Sequence, residues 1–185
     1  MRLFVAVPVT GAAAAELAAL VGRYRALGWP VKWVGASHFH VTVKFLGEAL
    51  PDAVAAIETA LRGAVGSMAA LPFHPDGLGG FPTTARARVL WAEYQTEPAL
   101  ELMADRVERA CVALGFAVDG RPFRPHVTLG RVRDGHQLSS EAVAAWDAEL
   151  LHEAFMVDQV VLYQSHLRAE GSRYDSLARF PMMSA

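Results

Sequence analysis

Cysteine is almost absent from this sequence, long hydrophobic runs are missing, and neither sign of charge dominates. The lone Cys111 excludes an intramolecular disulfide and is typical of a reducing cytoplasm. Its place on the apolar face of a predicted helix indicates a core residue. The most apolar stretch, residues 11–22, is too short to span a bilayer and contains Glu16, so we expect no membrane partner. The net charge of −2 argues against a general polyanion-binding protein.

Two further absences limit the chemistry. No glycine-rich phosphate loop ending in lysine is present, which argues against an ATP-dependent reaction. No cysteine or carboxylate lies at ligand spacing from His38 and His40, so a zinc site there is disfavoured. We therefore expect neither a cofactor nor a bound metal ion. The composition, 53% apolar and 19% charged, suits one globular domain with a substantial core.

One short motif occurs twice in this ordinary background. The sequence His-Val-Thr stands at residues 40–42 and again at 126–128, each time in an apolar, β-branched stretch typical of a strand. Side chains alternate along a strand, so the histidine and the threonine of each copy project from one face. Two such strands side by side would present two imidazoles and two hydroxyls to one small anion. That set of groups is sufficient for acid–base chemistry on a phosphodiester.

Hydrophobic periodicity divides the chain into two similar halves. Strands are predicted at residues 2–9, through the first motif to 47, 71–81, 88–94, through the second motif, 155–166 and 173–180. Helices are predicted at 11–27, 51–66, 97–114 and from Ser139 or Ser140 to 150, and turns at 79–82 and Glu170–Gly171. Adding 86 to the first half's elements gives those of the second. We infer an internal duplication, approximately 1–84 and 85–185, within a single two-lobed domain whose motif strands share a cleft.

Basic residues cluster around the second motif, namely Arg121, Arg124, Arg131 and Arg133. They predict a cationic patch beside His126, although a solvated loop with ordinary ion pairs is the alternative. Arg124 is two residues before His126, so in a regular strand the two side chains would project from the same face. Arg131 is out of phase with His126 unless a bulge at Gly130 redirects it.

Near the first motif, Lys44 shares the parity of His40 and Thr42 and could add positive charge. Phe45 and, before the second motif, Phe123 are candidates for stacking on a base, with a core role as the alternative for both. Thr42 and Thr128 can donate hydrogen bonds to phosphate oxygens, but threonine is also a good strand residue in its own right.

Six segments of the chain resemble those of a known family, at residues 2–8, 40–48, 79–82, 87–91, 123–131 and 162–167. With them the chain resembles the LigT-like (bacterial 2′-5′ RNA ligase) branch of the two-histidine phosphoesterase superfamily, the RNA 2′,3′-cyclic phosphodiesterases. The resemblance covers nearly the whole chain. It implies a two-lobed α+β fold with a water-filled cleft lined by both motifs. Together with the repeated pattern, this predicts two pseudo-symmetric β-α-β-α-β lobes whose antiparallel sheets flank the central cleft.

The resemblance also implies a reaction. Its substrate would be RNA with 2′,3′-cyclic phosphate ends, such as tRNA fragments, and its product a 2′-phosphomonoester. His40 would be the proton donor to the departing 3′ oxygen and His126 the proton acceptor from water. Only the resemblance makes this assignment, because the two motifs are alike. Thr42, Thr128, Arg124 and Arg131 are the expected phosphate-binding residues, and 2′-5′ ligation without ATP would be the reverse reaction.

Two other interpretations stay open at this point. One keeps the chemistry but changes the substrate, to another small cyclic phosphate, such as a cyclic nucleotide or an ADP-ribose cyclic phosphate, or to a 2′-5′ oligonucleotide. The other is a module that binds RNA ends without turnover. A groove formed by one duplicated chain needs no second copy, so we expect a monomer.

Overall fold

The computed structural model describes residues 1–168 and 171–183. Its helices are α1 Gly11–Ala26, α2 Val54–Val65, α3 Pro98–Val112 and α4 Ser140–Asp147. Its strands are β1 Arg2–Pro8, β2 Val31–Trp33, β3 His40–Glu48, β4 Leu71–Phe73, β5 Pro75–Phe81, β6 Val89–Tyr94, β7 His126–Val132, β8 Phe155–Val157, β9 Gln159–Arg168 and β10 Gly171–Pro181. The predicted α+β class with antiparallel strands is confirmed.

Eight strands form one antiparallel sheet, in the order β10-β9-β1-β3-β7-β6-β5, and β2 pairs with β7 outside this path. The two motif strands, β3 and β7, are neighbours at its centre, where Val41 pairs with Val127. From Gly130 to Val132 the strand β2 takes over that edge of β7. We call the contact between β3 and β7 the seam. On one side of it β1 lies between β3 and β9, and on the other side β6 lies between β7 and β5. The two sides therefore repeat one arrangement of strands.

The seam in the sheet does not follow the division of the sequence at residue 84. The late strands β9 and β10 lie beside β1, whereas the early strands β2 and β5 pair with β7 and β6. Each half of the sequence thus contributes strands to both sides of the sheet, and neither side is formed by one half alone. A small second sheet also joins the halves by pairing β4 with β8.

Several predicted elements differ from the observed ones. The strand predicted at 71–81 is split into β4 and β5, and the one at 155–166 into β8 and β9, because the two parts of each pair with different sheets. The long strand through the first motif is likewise interrupted, by a 3₁₀ turn at Ala36–His38. The turn predicted at Glu170–Gly171 lies partly outside the described residues.

The turn predicted at 79–82 is wrong, because Gly79 and Gly80 pair with Trp91 and Leu90 inside the sheet. The Trp91 indole lies directly against Gly79, and a Cβ atom there would collide with its Nε1. The glycine is required here by a close approach and not by a turn.

The helices cover one face of the large sheet. Alternate strand residues such as Val5, Val41 and Leu129 are buried there in one core with the helical residues Leu17 and Met103. Cys111 is fully buried in this core, as expected, and burial raises the pKa of its thiol to about 11. Within the described residues, no helix has both the length and the apolar character needed to cross a membrane. The other face of the sheet carries the motif side chains.

Candidate active site

The seam between β3 and β7 brings the two motifs together. Because Val41 pairs with Val127 in antiparallel register, His40 lies opposite Thr128 and His126 lies opposite Thr42. The two valines point into the core and are fully buried, so the four motif side chains share the opposite face, where each is half-buried. The two histidines are therefore diagonal neighbours across the pair of strands, and in a regular antiparallel pair such residues are ~7–8 Å apart. Two imidazoles and two hydroxyls therefore surround one small space.

The same backbone contact holds each histidine ring. Nδ1 of His40 lies 2.7 Å from the carbonyl oxygen of His38, and Nδ1 of His126 lies 2.8 Å from that of Arg124. A carbonyl oxygen only accepts hydrogen bonds, so Nδ1 carries the hydrogen in both rings. Nε2 is then the atom that takes a proton in the neutral ring and gives one in the charged ring.

His40 lies among aromatic side chains from three strands. Its ring centroid is 5.1 Å from that of Phe4, 5.2 Å from that of Tyr174 and 6.2 Å from that of Tyr163. Burial lowers the pKa of His40 below the usual value for histidine. The hydrogen bond to the His38 carbonyl opposes this change, and the nearby charges of His38 and His126 add to it. The neutral ring is therefore favoured in the free protein.

The surroundings of His126 are different. Its ring lies 5.1 Å from Trp91, whose Nε1 donates a hydrogen bond of 3.1 Å to Oε1 of Glu93. Glu93 itself pairs with His126 across β6 and β7. The two similar motifs are thus placed in unlike settings, one in an aromatic enclosure and the other beside an indole and a carboxylate.

A bulge follows the first motif and moves Lys44 away from the site. Thr42 and Lys44 face successive residues of β1, which leaves Val43 as the extra residue. The alternation of faces is thereby reversed. The buried Nζ of Lys44 donates hydrogen bonds to Oε2 of Glu108, at 2.6 Å, and to the carbonyl oxygen of Ala117, at 2.9 Å. The predicted place of Lys44 beside His40 is wrong, because regular alternation takes no account of a bulge.

The second motif has the matching bulge. Thr128 and Gly130 face successive residues of β6, so Leu129 is the extra residue, one position earlier than predicted. Arg131 is thereby turned to the face of Thr128, where its side chain is exposed. Arg124 precedes β7, and its carbonyl oxygen accepts the hydrogen bond from Nδ1 of His126. Its guanidinium group has no hydrogen bond or ion pair within the described residues.

The family model described as "2'-5' RNA ligase superfamily" matches residues 12–169. The chain belongs to the 2′-5′ RNA ligase superfamily. An RNA 2′,3′-cyclic phosphodiesterase of Geobacillus stearothermophilus is 30% identical over 184 residues, which are 98% of this chain and 57% of that protein. This chain thus spans little more than half of that relative. One of Archaeoglobus fulgidus is 31% identical over 180 residues, which are 97% of this chain and 99% of that one.

Solved structures show the same fold as this member of the 2′-5′ RNA ligase superfamily. A protein of Thermus thermophilus superposes with a TM-score of 0.83 at 24% identity, covering 98% of both chains. LigT of Escherichia coli, solved in complex with 3′-AMP, superposes with a TM-score of 0.74 at 24% identity, covering 98% of this chain and 97% of that one.

The aromatic enclosure of His40 in this superfamily member was not predicted from the sequence. Tyr163 pairs with Phe4, and both rings lie beside His40. No pattern within β9 or β10 indicates these contacts, because only the pairing of β9 with β1 and of β10 with β9 brings the two tyrosines to the site. Tyr174 also contacts His38 at the rim. In the described ranges, no group of three or more His, Cys, Asp or Glu side chains is placed to hold a metal ion.

Proposed function

We propose that this protein hydrolyses the 2′,3′-cyclic phosphate ends of RNA to 2′-phosphomonoesters by two-histidine acid–base catalysis, without a metal ion. The observation that carries the proposal is the pair of rings at the seam. Both have Nδ1 held by a backbone carbonyl and Nε2 available, and both lie on one face of the sheet. The names of the relatives from Geobacillus and Archaeoglobus support the substrate class.

The proposed reaction needs two proton transfers. Nε2 of His126 takes a proton from water as the water oxygen attacks phosphorus. The bond from phosphorus to the 3′ oxygen breaks, and Nε2 of His40 gives that oxygen its proton, leaving a 3′-hydroxyl and a 2′-phosphate. Each transfer is typically worth 10²–10⁴-fold in rate. Two imidazoles supply both steps, so the scheme requires no metal-bound water.

The lowered pKa of His40 bears directly on this assignment. A proton donor must be protonated when the reaction begins, and burial disfavours the charged ring in the free protein. The bound phosphodiester is an anion beside that ring, so its charge raises the pKa of His40 in the complex. In this proposal the substrate therefore helps to protonate its own acid.

The neighbouring side chains would stabilise the phosphate. Thr42 and Thr128 lie opposite the two histidines, and their hydroxyls have no hydrogen-bond partner within residues 1–168 and 171–183. They can donate to the non-bridging oxygens, where negative charge builds in the transition state. Arg131, on the same face, and Arg124, just before the strand, would add positive charge. Ligation is the reverse of the cleavage of a 2′-5′ phosphodiester bond. In it an RNA 5′-hydroxyl replaces water in the same steps, and ATP is not needed because one phosphodiester bond replaces another.

The test uses an RNA with a 2′,3′-cyclic end and the variants His40→Ala and His126→Ala. Each variant should lose about 10²–10⁴-fold in kcat. The product should carry its phosphate on the 2′ oxygen, and EDTA should leave the rate unchanged. Activity of both variants within about threefold of wild type would contradict the acid–base roles, and inhibition by EDTA would indicate a metal mechanism.

Parallel assays on other substrates separate the alternatives. Free 2′,3′-cyclic nucleotides, an ADP-ribose cyclic phosphate and a 2′-5′ oligonucleotide are compared with the RNA at equal concentration. Preference for one of them over the RNA would replace the substrate in this proposal. Binding of RNA ends without turnover of any substrate would favour the non-catalytic module. Sedimentation of the same sample tests the expected monomer.

A further inference from the structure

A concave surface lies next to the candidate active site, where β6 begins, β7 ends and β2 pairs with β7. It is a groove of about 550 Å³ whose lining includes Lys32, Arg88, Arg131 and Arg133. Asp134 is the one acidic residue in its lining. Its three arginines against one carboxylate make a local positive charge in a protein whose net charge is −2. Such a groove suits a polyanion of limited width.

The arginines of this cationic groove differ from many basic residues elsewhere in the chain. Arg23, Lys44, Arg109 and Arg173 each form an ion pair with a carboxylate. Within the described ranges, the side chains of Arg88, Arg131 and Arg133 have no hydrogen bond or ion pair. Since oppositely charged side chains do not satisfy these guanidinium groups, they are available to an anionic ligand.

The groove continues directly from the motif residues. Along β7, His126, Thr128 and Arg131 face Glu93, Trp91 and Val89 of β6 in turn, so the three side chains form one row on the same face. Arg131 in turn faces Lys32 across β2 and β7. A ligand whose reactive phosphate lies at the histidines would therefore extend past Arg131 into the groove.

We infer that the cationic groove binds the RNA backbone phosphates on the 5′ side of the cyclic phosphate. This inference rests on the proposed function. A 2′,3′-cyclic phosphate occupies the 3′ end of a strand, so all remaining nucleotides lie on its 5′ side. The groove then makes the protein prefer oligonucleotides to free cyclic nucleotides, which have no phosphate on that side.

The test compares substrates of increasing length with two double variants. Arg88→Gln/Arg133→Gln removes two groove charges outside the motif row, and Arg106→Gln/Arg109→Gln removes two charges from α3 as a matched control. Turnover is measured on a 2′,3′-cyclic mononucleotide and on a hexanucleotide with the same 3′ end. Affinity for a hexanucleotide ending in a 3′-phosphate is measured by fluorescence anisotropy at several salt concentrations.

For the groove variant, kcat/KM on the hexanucleotide should fall by about tenfold or more, while that on the mononucleotide stays within about twofold. The slope of log affinity against log salt should decrease by about 1.4, because two phosphate contacts are lost. The control variant should match wild type in both measurements. Equal losses on both substrates, the same loss in the control variant, or an unchanged salt slope would each overturn the inference.

The two proposals fail in distinguishable ways. If no cyclic phosphate is turned over by wild type, the proposed function fails, while the anisotropy measurement still tests the groove. If wild type turns over both substrates with equal kcat/KM, the proposed function stands and the groove is not a site for the RNA backbone.

Discussion

Phe45 and Arg131 occupy matching positions on the two sides of the seam, each three residues after the threonine of its motif and beyond a matching bulge. Phe45 lies opposite Phe4, whose ring contacts His40. Arg131 lies opposite Val89, on the same face of β7 as Thr128. The similar geometry of the two sides thus carries an aromatic ring on one side and a guanidinium group on the other. In the proposed function, the ring would lie by the base and the guanidinium group by the phosphate, which would give the bound nucleotide one orientation.

Phe45→Ala should weaken substrate binding. The ring is 64% exposed and lies next to the aromatic enclosure of His40, so it is available to stack on the base of the terminal nucleotide. Stacking of this kind is worth about 1–3 kcal/mol per base, or roughly 5- to 150-fold in kcat/KM. Steady-state kinetics on a 2′,3′-cyclic mononucleotide measure the change.

Two control variants accompany Phe45→Ala. Phe45→Trp should retain the activity, because an indole stacks at least as well as a phenyl ring. Leu50→Ala removes an apolar side chain of similar exposure, 71%, and should leave kcat/KM unchanged. A loss with Phe45→Ala that Phe45→Trp does not restore would assign the ring to packing against Phe4 and not to the substrate.

The pH profile should differ between kcat/KM and kcat. The first reports ionisation in the free protein, where burial lowers the pKa of His40, and the second reports ionisation in the complex, where the phosphate anion raises it. If His40 is the proton donor, activity falls as the pH rises through its pKa. The alkaline limb of kcat/KM should therefore lie at lower pH than that of kcat.

An NMR titration of the free protein provides the independent measurement. The His40 ring should titrate below the usual pH for histidine, and addition of a 2′-phosphorylated nucleotide should move its titration upward. Coincident alkaline limbs in both profiles, together with an unmoved titration, would show that the anion does not protonate His40.

How far the sequence predicts this site depends on how local each relationship is. His40 and Thr42 share a face because they are two residues apart on a strand, which regular alternation predicts. Lys44 was misplaced because the bulge at Val43 arises from pairing with β1, and nothing within β3 indicates it. Arg131 was placed conditionally, since Gly130 suggested a bulge. Tyr174 required knowledge of which distant strands lie together, as did the exchange of strands across the seam.

Lys44 and Glu108 should contribute to stability and not to catalysis. Lys44 is 2% exposed, so Glu108→Gln leaves a buried ammonium group without its carboxylate and should cost about 1–3 kcal/mol of unfolding free energy. Lys44→Met removes the buried charge together with its pair and should cost less. Urea unfolding measures both variants, and turnover of a cyclic mononucleotide by Lys44→Met should match wild type.

The stabilisation should depend on pH in a defined direction. Burial alone would raise the pKa of Glu108, but hydrogen bonds from Lys44 and from the Asp119 backbone N–H hold it below its usual value. The carboxylate therefore stabilises the fold above its unfolded pKa, and the gain is lost as the pH falls through the lowered folded pKa. The difference in unfolding free energy between wild type and Glu108→Gln should therefore become smaller as the pH is lowered.

A Lys44→Met variant that is stable but loses turnover to the same extent as His40→Ala would contradict the structural role of Lys44 and place it in the active site.

Gly130→Ala should destabilise the junction between β2 and β7. A Cβ atom at Gly130 would lie 2.5 Å from Cγ1 of Val31 and 2.9 Å from Cε3 of Trp33, so β2 must shift to admit it. Overpacking of this kind costs about 1–3 kcal/mol. Gly63→Ala is the matched control, because Gly63 lies inside α2 with nothing within 4 Å of the added atom. That change should stabilise the protein by about 0.5–1 kcal/mol, since glycine is a poor helix former. Urea midpoints that shift in opposite directions would support the close contact, and a Gly130→Ala variant as stable as wild type would show that β2 yields freely.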